Sequence, residues 1–260
     1  MPVLHVHEWG SPNAPPVVCL HGVNAHGRRF RKLAEERLAR RFHVLAPDLR
    51  GHGRSTWEPP WTLGRHVADV REAIAALGVE RATFVGHSFG GRLTLELTAA
   101  GVVERSALLD PVVWVPPQVA LERAEALRRD HVFATREEAF AERALLSPLA
   151  PRPLLEEEFD AHLVADADGR LRFRYSQAAV IAAYGEMSQP PPDWSHLQVP
   201  TLLVVGAETD VVPQAVVDGF RFELGDRLRV VTVPGRHIVL WDAFEETADA
   251  IERFLEDARP

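Results

Sequence analysis

Residues 82–92 read ATFVGHSFGGR, which is an apolar strand, a turn with three glycines and the start of a helix. Gly86 and Gly90 stand two positions on either side of Ser88, as a sharp strand-to-helix turn without room for side chains requires. Such a turn presents the serine hydroxyl above a sheet, and the following helix N-terminus favours negative charge there. The alternative is a serine that only caps a helix. The matching flanks on both sides favour a nucleophile at Ser88.

Short β-branched runs alternate with longer amphipathic segments along most of the chain, a pattern typical of βα units around a mainly parallel sheet. The predicted strands are 17–20, 43–46, 82–86, 106–110, 201–206 and 228–233, with 3–9 as an antiparallel edge strand. The predicted helices are 28–40, 63–77, 88–100, 213–223 and 241–256. The sequence therefore predicts an α/β protein.

Residues 112–195 break this rhythm, because they are charged, helical in pattern and punctuated by prolines. We interpret them as a helical cap inserted into a core formed by residues 1–111 and 196–260. The cap carries aromatic residues, and Trp114 and Tyr184 are candidates for lining a substrate pocket, together with His87 beside the turn.

The composition narrows the class of protein. The chain has 260 residues, a net charge of −8 and one cysteine, Cys19, which excludes a disulfide framework and a cysteine-based zinc site. The acidic balance argues against a nucleic-acid partner. Since no signal peptide or membrane-spanning stretch is recognisable, we expect a cytoplasmic protein that acts on a small molecule without a membrane partner. The oligomeric state is left open.

A second motif, His21-Gly22-Val23, directly follows the strand 17–20. Such a turn lets the backbone pass close to the serine and point an N–H group at a developing oxyanion. The predicted donors are the backbone N–H groups of Val23 and Phe89. His5 and His7 share one face of the edge strand, but a solvated strand is the simpler interpretation, so we predict no metal site.

With Asp48-Leu49-Arg50-Gly51-His52-Gly53-Arg54-Ser55 after the next strand, the three motifs together resemble the α/β-hydrolase-fold superfamily with a helical cap, and its serine esterases in particular. The resemblance covers about the first 110 residues. It implies a serine hydrolase without a metal or organic cofactor, and a structural role for the loop that contains Asp48 and Arg50.

The serine needs a base, and the base needs an acid that fixes its tautomer. His237 follows the last predicted strand, and Asp210 lies in the loop after the strand 201–206. The order Ser88, Asp210, His237 matches the order in the resembled superfamily. Asp110, at the end of its own strand, is the main rival acid, and Glu208 and Asp242 are weaker ones.

We therefore expect a carboxylesterase in which Ser88, His237 and Asp210 cleave small to medium apolar esters through an acyl-enzyme. The resemblance also admits C–C bond hydrolases, lactonases and a lyase of the menaquinone pathway that eliminates pyruvate. Arg92, which follows the paired glycines, also occurs in that lyase, although an ordinary solvent-facing or loop-tethering role is the simpler interpretation. A non-catalytic receptor is less favoured, because the chain has every residue expected for the catalytic triad and the glycines of the serine turn.

Overall fold

The computed structural model describes residues 3–129 and 131–257, which form a seven-stranded sheet with helices on both faces. The strands of these residues are β1 (Val6–Trp9), β2 (Pro16–Leu20), β3 (His43–Pro47), β4 (Ala82–His87), β5 (Val103–Leu109), β6 (Leu163–Ala165), β7 (Leu171–Phe173), β8 (Thr201–Gly206) and β9 (Leu228–Val233). The sheet order is β1-β3-β2-β4-β5-β8-β9, with β1 antiparallel and the others parallel. The predicted α/β class is confirmed.

The helices are α1 (Arg31–Leu33), α2 (Leu63–Ala76), α3 (Phe89–Ala99), α4 (Pro117–Ala126), α5 (Arg136–Leu146), α6 (Arg152–His162), α7 (Gln177–Glu186), α8 (Gln214–Leu224), α9 (Val239–Asp242) and α10 (Phe244–Glu256). The helix predicted over 28–40 is irregular: a 3-10 turn, Gly27–Phe30, precedes α1, and a π-helical turn, Ala34–Leu38, follows it. Each helix of the described residues is too short or too polar to cross a membrane.

Alternation along the strands explains why the sheet is covered on both faces. In β2, Val17 and Cys19 belong to one buried cluster, which includes Phe254 of α10. Val18 and Leu20 point to the other face and belong to a cluster with residues of α2 and α3. Because successive side chains of a strand point to opposite faces, a parallel strand buried on both sides reads as a continuous apolar run.

The sheet register brings several loops to one edge. Leu20 pairs with Gly86, His87 with Leu109, and Gly206 with Val233, so β2, β4, β5, β8 and β9 end close to the same level. The loops that leave these strands include every residue expected to take part in catalysis. Such an edge, at the carboxyl ends of parallel strands, is where open α/β sheets bind ligands.

Between β5 and β8 the residues that the structure describes add no strand to the main sheet. They form helices α4 to α7 and a two-stranded antiparallel ribbon of β6 and β7. The ribbon was not predicted, because each of its strands is only three residues long. Its turn is held by the Asp166 carboxylate, which accepts hydrogen bonds from the N–H groups of Asp168 and Arg170.

Candidate active site

Ser88 occupies the strained turn between β4 and α3, with a positive φ of 56°. The flanking glycines are needed, because a Cβ on Gly86 would collide with the Gly90 carbonyl and one on Gly90 would collide with the Leu20 carbonyl. The Ser88 backbone is also tied to the turn after β5: its N–H donates to the Leu109 carbonyl, and its carbonyl accepts from Val112. The serine is therefore held at the sheet edge in one orientation.

His237 reaches the serine from the loop between β9 and α9. Its Nε2 lies 2.8 Å from Ser88 Oγ. The loop is shaped by Gly235, at φ +88°, and by Asp242, whose carboxylate accepts the Arg236 N–H at 2.8 Å. His87 also contacts this loop, because its Nε2 lies 3.0 Å from the His237 carbonyl oxygen.

Asp110 completes the arrangement from the end of β5. Its Oδ2 lies 2.7 Å from His237 Nδ1 and accepts the Thr209 hydroxyl at 2.6 Å, while Oδ1 accepts the Gly206 N–H at 3.1 Å. The residue has no exposed surface. A fully hydrogen-bonded, buried carboxylate beside Nδ1 holds the proton on that nitrogen, so that Nε2 is free to accept the proton of Ser88.

The prediction that Asp210 is this acid is wrong. Asp210 is exposed, and it is the neighbouring Thr209 whose hydroxyl turns inward to Asp110. The loop after β8 thus supports the acid rather than supplying it. The two weaker candidates for the acid are placed differently as well. Glu208 is exposed, and the Asp242 carboxylate accepts from the Arg236 and Leu149 N–H groups.

The predicted oxyanion donors lie on either side of the serine. Gly22 is so close to it that an added Cβ would stand 3.3 Å from Ser88 Oγ. Val23 follows in an irregular turn, and within the described ranges its N–H has no acceptor. Phe89 is the first residue of α3, where backbone N–H groups have no partner within the helix. Both N–H groups are available to a ligand.

His21 orients the turn that carries Val23. Its Nε2 lies 2.9 Å from the Leu49 N–H and must accept, so Nδ1 carries the proton and donates to the Gly22 carbonyl at 2.8 Å. In a trans peptide the carbonyl and the next N–H point in opposite directions, so this bond aims the Val23 N–H. Burial lowers the pKa of His21 well below its usual value, which keeps the ring neutral.

The three pocket candidates differ in placement. His87 is buried and bonded to the His237 loop, which makes it a support for the base. Trp114 is 48% exposed and donates from Nε1 to the Ser188 carbonyl. Tyr184, like Val23, packs against two apolar clusters, one from the core and one from the segment between β5 and β8. Of the three, Tyr184 has the placement best suited to a pocket wall.

Arg92 is engaged in structural contacts. Its buried guanidinium donates to the carbonyls of Val113, Gln189 and Pro190 and to the Glu96 carboxylate. The loop-tethering interpretation of Arg92 accounts for all of these contacts.

The loop after β3 is likewise held by internal bonds. The Asp48 carboxylate accepts the Gly27 and Arg54 N–H groups, and Arg50 forms a two-pronged pair with Asp69. Ligand atoms of His5, His7 and Asp48 lie within 4.8 Å of one another, which would suit a metal ion geometrically. Asp48 is already engaged by two backbone donors and by His7 Nε2 at 3.2 Å.

Comparisons with known proteins agree with this geometry. A sequence profile described as "Alpha/beta hydrolase family" matches residues 17–250. Lipase LipV of Mycobacterium tuberculosis is 35% identical over 190 residues, covering 72% of each chain. Esterase YbfF of Escherichia coli is 25% identical over 254 residues, covering 94% of each chain.

Among solved structures, E-2-(acetamidomethylene)succinate hydrolase superposes with a TM-score of 0.85 at 27% identity, covering 97% of this chain and 95% of that one. The profile spans both the serine turn and the His237 loop. The chain therefore belongs to the alpha/beta hydrolase family and is a hydrolase.

Proposed function

We propose that the protein hydrolyses carboxylic esters, with Ser88 as nucleophile, His237 as general base and Asp110 as the acid that orients it. The observation that carries this proposal is the unbroken pair of hydrogen bonds from Ser88 Oγ to His237 Nε2 and from His237 Nδ1 to Asp110 Oδ2. This arrangement removes the serine proton as the oxygen attacks, and the Asp110 carboxylate stabilises the resulting imidazolium.

The reaction runs in two halves. Ser88 Oγ bonds to the ester carbonyl carbon as His237 takes its proton, and the carbonyl oxygen becomes an oxyanion facing the N–H groups of Val23 and Phe89. The intermediate collapses, the C–O bond to the alcohol breaks, and His237 returns the proton to the leaving alcohol. Water then attacks the acyl-enzyme with His237 again as base, releasing the acid and restoring Ser88.

Two considerations favour esters over the other reactions of such a site. The lyase interpretation rested on Arg92, whose donors are directed to protein carbonyls and to Glu96 and so leave no guanidinium edge for a substrate. Two relatives reported above bear the names lipase and esterase. C–C bond hydrolysis and lactone opening would use the same three residues. The labelling and turnover experiment below distinguishes these two reactions from ester hydrolysis.

The substrate is proposed to be small to medium in size and largely apolar around the ester. Ser88 is only 4% exposed, and Val23 beside it packs against a buried cluster of the segment 112–195 that includes Phe173 and Tyr175. A roofed serine suits an acyl chain of limited length. We accordingly propose a cap formed by residues 112–195 on a core of residues 1–111 and 196–260.

The test combines labelling with turnover. A fluorophosphonate should add once to the wild type and not to Ser88→Ala, as measured by intact mass. Across p-nitrophenyl esters, kcat/KM should peak between acyl chains of about two and eight carbons, a span that suits small-ligand pocket volumes. Labelling of Ser88 without turnover of any ester would contradict the ester proposal and favour C–C or lactone chemistry. Labelling elsewhere would overturn the nucleophile assignment.

A further inference from the structure

Arg143, on α5, is a buried cation with little bonding. The residue is 5% exposed, and the guanidinium makes a single hydrogen bond within the described residues, from Nη2 to the Asn24 carbonyl at 3.3 Å. Its Nε is buried and has no partner. Arginine carries five N–H donors, so most of the donors of Arg143 are unused. Its Cζ atom lies over the Phe173 ring, 4.1 Å from the ring centroid, and this cation–π contact helps to hold it there.

Helix α5 places this cation against the turn that carries the Val23 oxyanion donor. Arg143 bonds to Asn24, the residue directly after Val23. Two positions further along α5, the Leu145 carbonyl accepts from Arg236, the residue directly before His237. The end of α5 therefore bridges the loop of the oxyanion donor and the loop of the base. Arg143 is thus bonded to the turn whose Gly22 lies against the serine, since a Cβ added at Gly22 would stand 3.3 Å from Ser88 Oγ.

The carboxylates near Arg143 are already neutralised by other groups. Glu158 pairs with Arg29 and with His26, whose Nε2 lies 3.0 Å from it. Glu142 is bonded to His131 at 2.7 Å. No carboxylate of the described residues forms an ion pair with Arg143 itself. Burial first, and then the charge of Arg29, lower the pKa of Arg143, and together they outweigh the opposing attraction of Glu158.

Arg92 provides an internal comparison. It is equally buried, but its guanidinium has four hydrogen bonds to protein acceptors, as a structural arginine should. Arg143 has one. A buried charge without an ion-paired anion is costly, so its retention on the turn of the oxyanion donor points to an anion that arrives with the substrate.

We propose that Arg143 binds a carboxylate of the substrate, so that the preferred ester carries one negative charge separated from the reacting carbonyl by a short apolar chain. This inference rests on the proposed function and deepens it. The net charge of −8 opposes anions at long range. At short range a buried guanidinium can outweigh the repulsion from this net negative charge. Charge-assisted hydrogen bonds to a carboxylate strengthen when water is excluded.

The test compares charged and neutral esters of equal length. The substrates are monoethyl esters of straight-chain dicarboxylic acids with four to eight carbons, and ethyl esters of the matching monocarboxylic acids. A second pair of series places the carboxylate on the alcohol half, as acetates of hydroxy acids and of plain alcohols. The wild type should favour the charged ester at its best length by tenfold or more in kcat/KM.

Arg143→Met should lower that ratio by about 10- to 100-fold, the loss expected for a charge-assisted pair. The matched control is Arg136→Met, on the same helix, whose arginine is exposed and pairs with Asp160. It should leave the ratio unchanged. An equal ratio in wild type and Arg143→Met, or a wild-type preference for neutral esters at every length in both series, would overturn the proposal.

A second measurement needs no Arg143 variant and separates this proposal from the ester mechanism. Monoethyl esters of dicarboxylic acids with four to eight carbons are titrated into Ser88→Ala by calorimetry, beside the neutral ethyl esters of the matching monocarboxylic acids. Tighter binding of one charged ester by tenfold or more supports the anion site even if no ester is turned over. Equal binding of both classes contradicts it, even if neutral esters are good substrates.

Discussion

His237 Nδ1 and Asp110 Oδ2 lie 2.7 Å apart, although 127 positions separate the two residues in the chain. The sheet order explains this contact, since β5, which ends at Leu109, is separated from β9 only by β8. The loop that leaves β8 contributes the Gly206 N–H and the Thr209 hydroxyl to the same carboxylate. Three loops of one sheet edge therefore meet at Asp110.

The acid assignment predicts a large difference between two asparagine variants. Asp110→Asn keeps the shape of the side chain but no longer favours the productive tautomer of His237, so kcat should fall by roughly 10⁴-fold. Asp210→Asn, in an exposed position of the loop after β8, is the control and should change kcat less than about threefold. Steady-state kinetics on a p-nitrophenyl ester measure both. The reverse ranking would return the role to Asp210.

The sequence was most informative where local chemistry decides the structure. Strands β8 and β9 end at the predicted residues because β8 is largely an apolar run, β9 is rich in β-branched residues, and both are bounded by turn residues. The turn at Ser88 was predictable because its glycines are required by contacts made within the turn and with β2. In both cases a few residues that are close together in the sequence indicate the local structure.

The acid and the buried cation depend on distant contacts. Asp110 and Asp210 both follow strands, and the choice between them is made by the path of a loop that turns Thr209 inward. Arg143 is one of several arginines in its segment, and its significance comes from burial against Phe173 and a bond to Asn24, 119 positions away. No periodicity or spacing in the sequence indicates such a contact between distant residues.

His21 should affect the rate more than substrate binding. His21→Ala removes the donor that holds the Gly22 carbonyl, so the Val23 N–H loses its fixed direction toward the oxyanion. Losing one oxyanion donor costs about 10²- to 10³-fold in kcat, and imperfect aim should cost about 10- to 100-fold. The control is His43→Ala, a buried histidine bonded to Glu8 at the far end of the sheet.

The measurement compares the change in kcat with the change in KM for one ester. A fall in kcat with KM changed less than about threefold supports the orienting role of His21, because the interaction is made in the transition state. Equal losses in the His21 and His43 variants would contradict it, since they would indicate a general effect of removing a buried ring.

Arg92 should matter for stability. Arg92→Met leaves the carbonyls of Val113, Gln189 and Pro190 without this donor, and it should lower the free energy of unfolding by about 2–4 kcal/mol. Arg123→Met, at an exposed position of α4, is the control and should change it by less than about 0.5 kcal/mol. Urea denaturation measures both, and a loss below about 1 kcal/mol for Arg92→Met would contradict the tethering role.

The contact between α6 and the segment before α1 should be sensitive to pH. Glu158 is buried between Arg29 and His26. Burial alone would raise its pKa, but the attraction of Arg29 and then of His26 is stronger, and the pKa of Glu158 lies well below its usual value. A carboxyl whose pKa is lower in the folded than in the unfolded state stabilises the fold above its ordinary pKa, and this contribution disappears as pH falls through the folded value.

Glu158→Gln should therefore lower the free energy of unfolding at pH 7 by about 3–5 kcal/mol, because it leaves Arg29 buried without its anion. The difference from the wild type should be constant above about pH 5 and shrink as the pH is lowered, since the wild-type carboxyl is then protonated as well. Glu156→Gln, on the exposed side of α6, should show neither effect. Thermal unfolding at steps from pH 7 to pH 3 measures the three proteins together. A wild-type advantage that stays constant toward pH 3 would show that folding does not lower the pKa of Glu158, and one that grows would show that folding raises it.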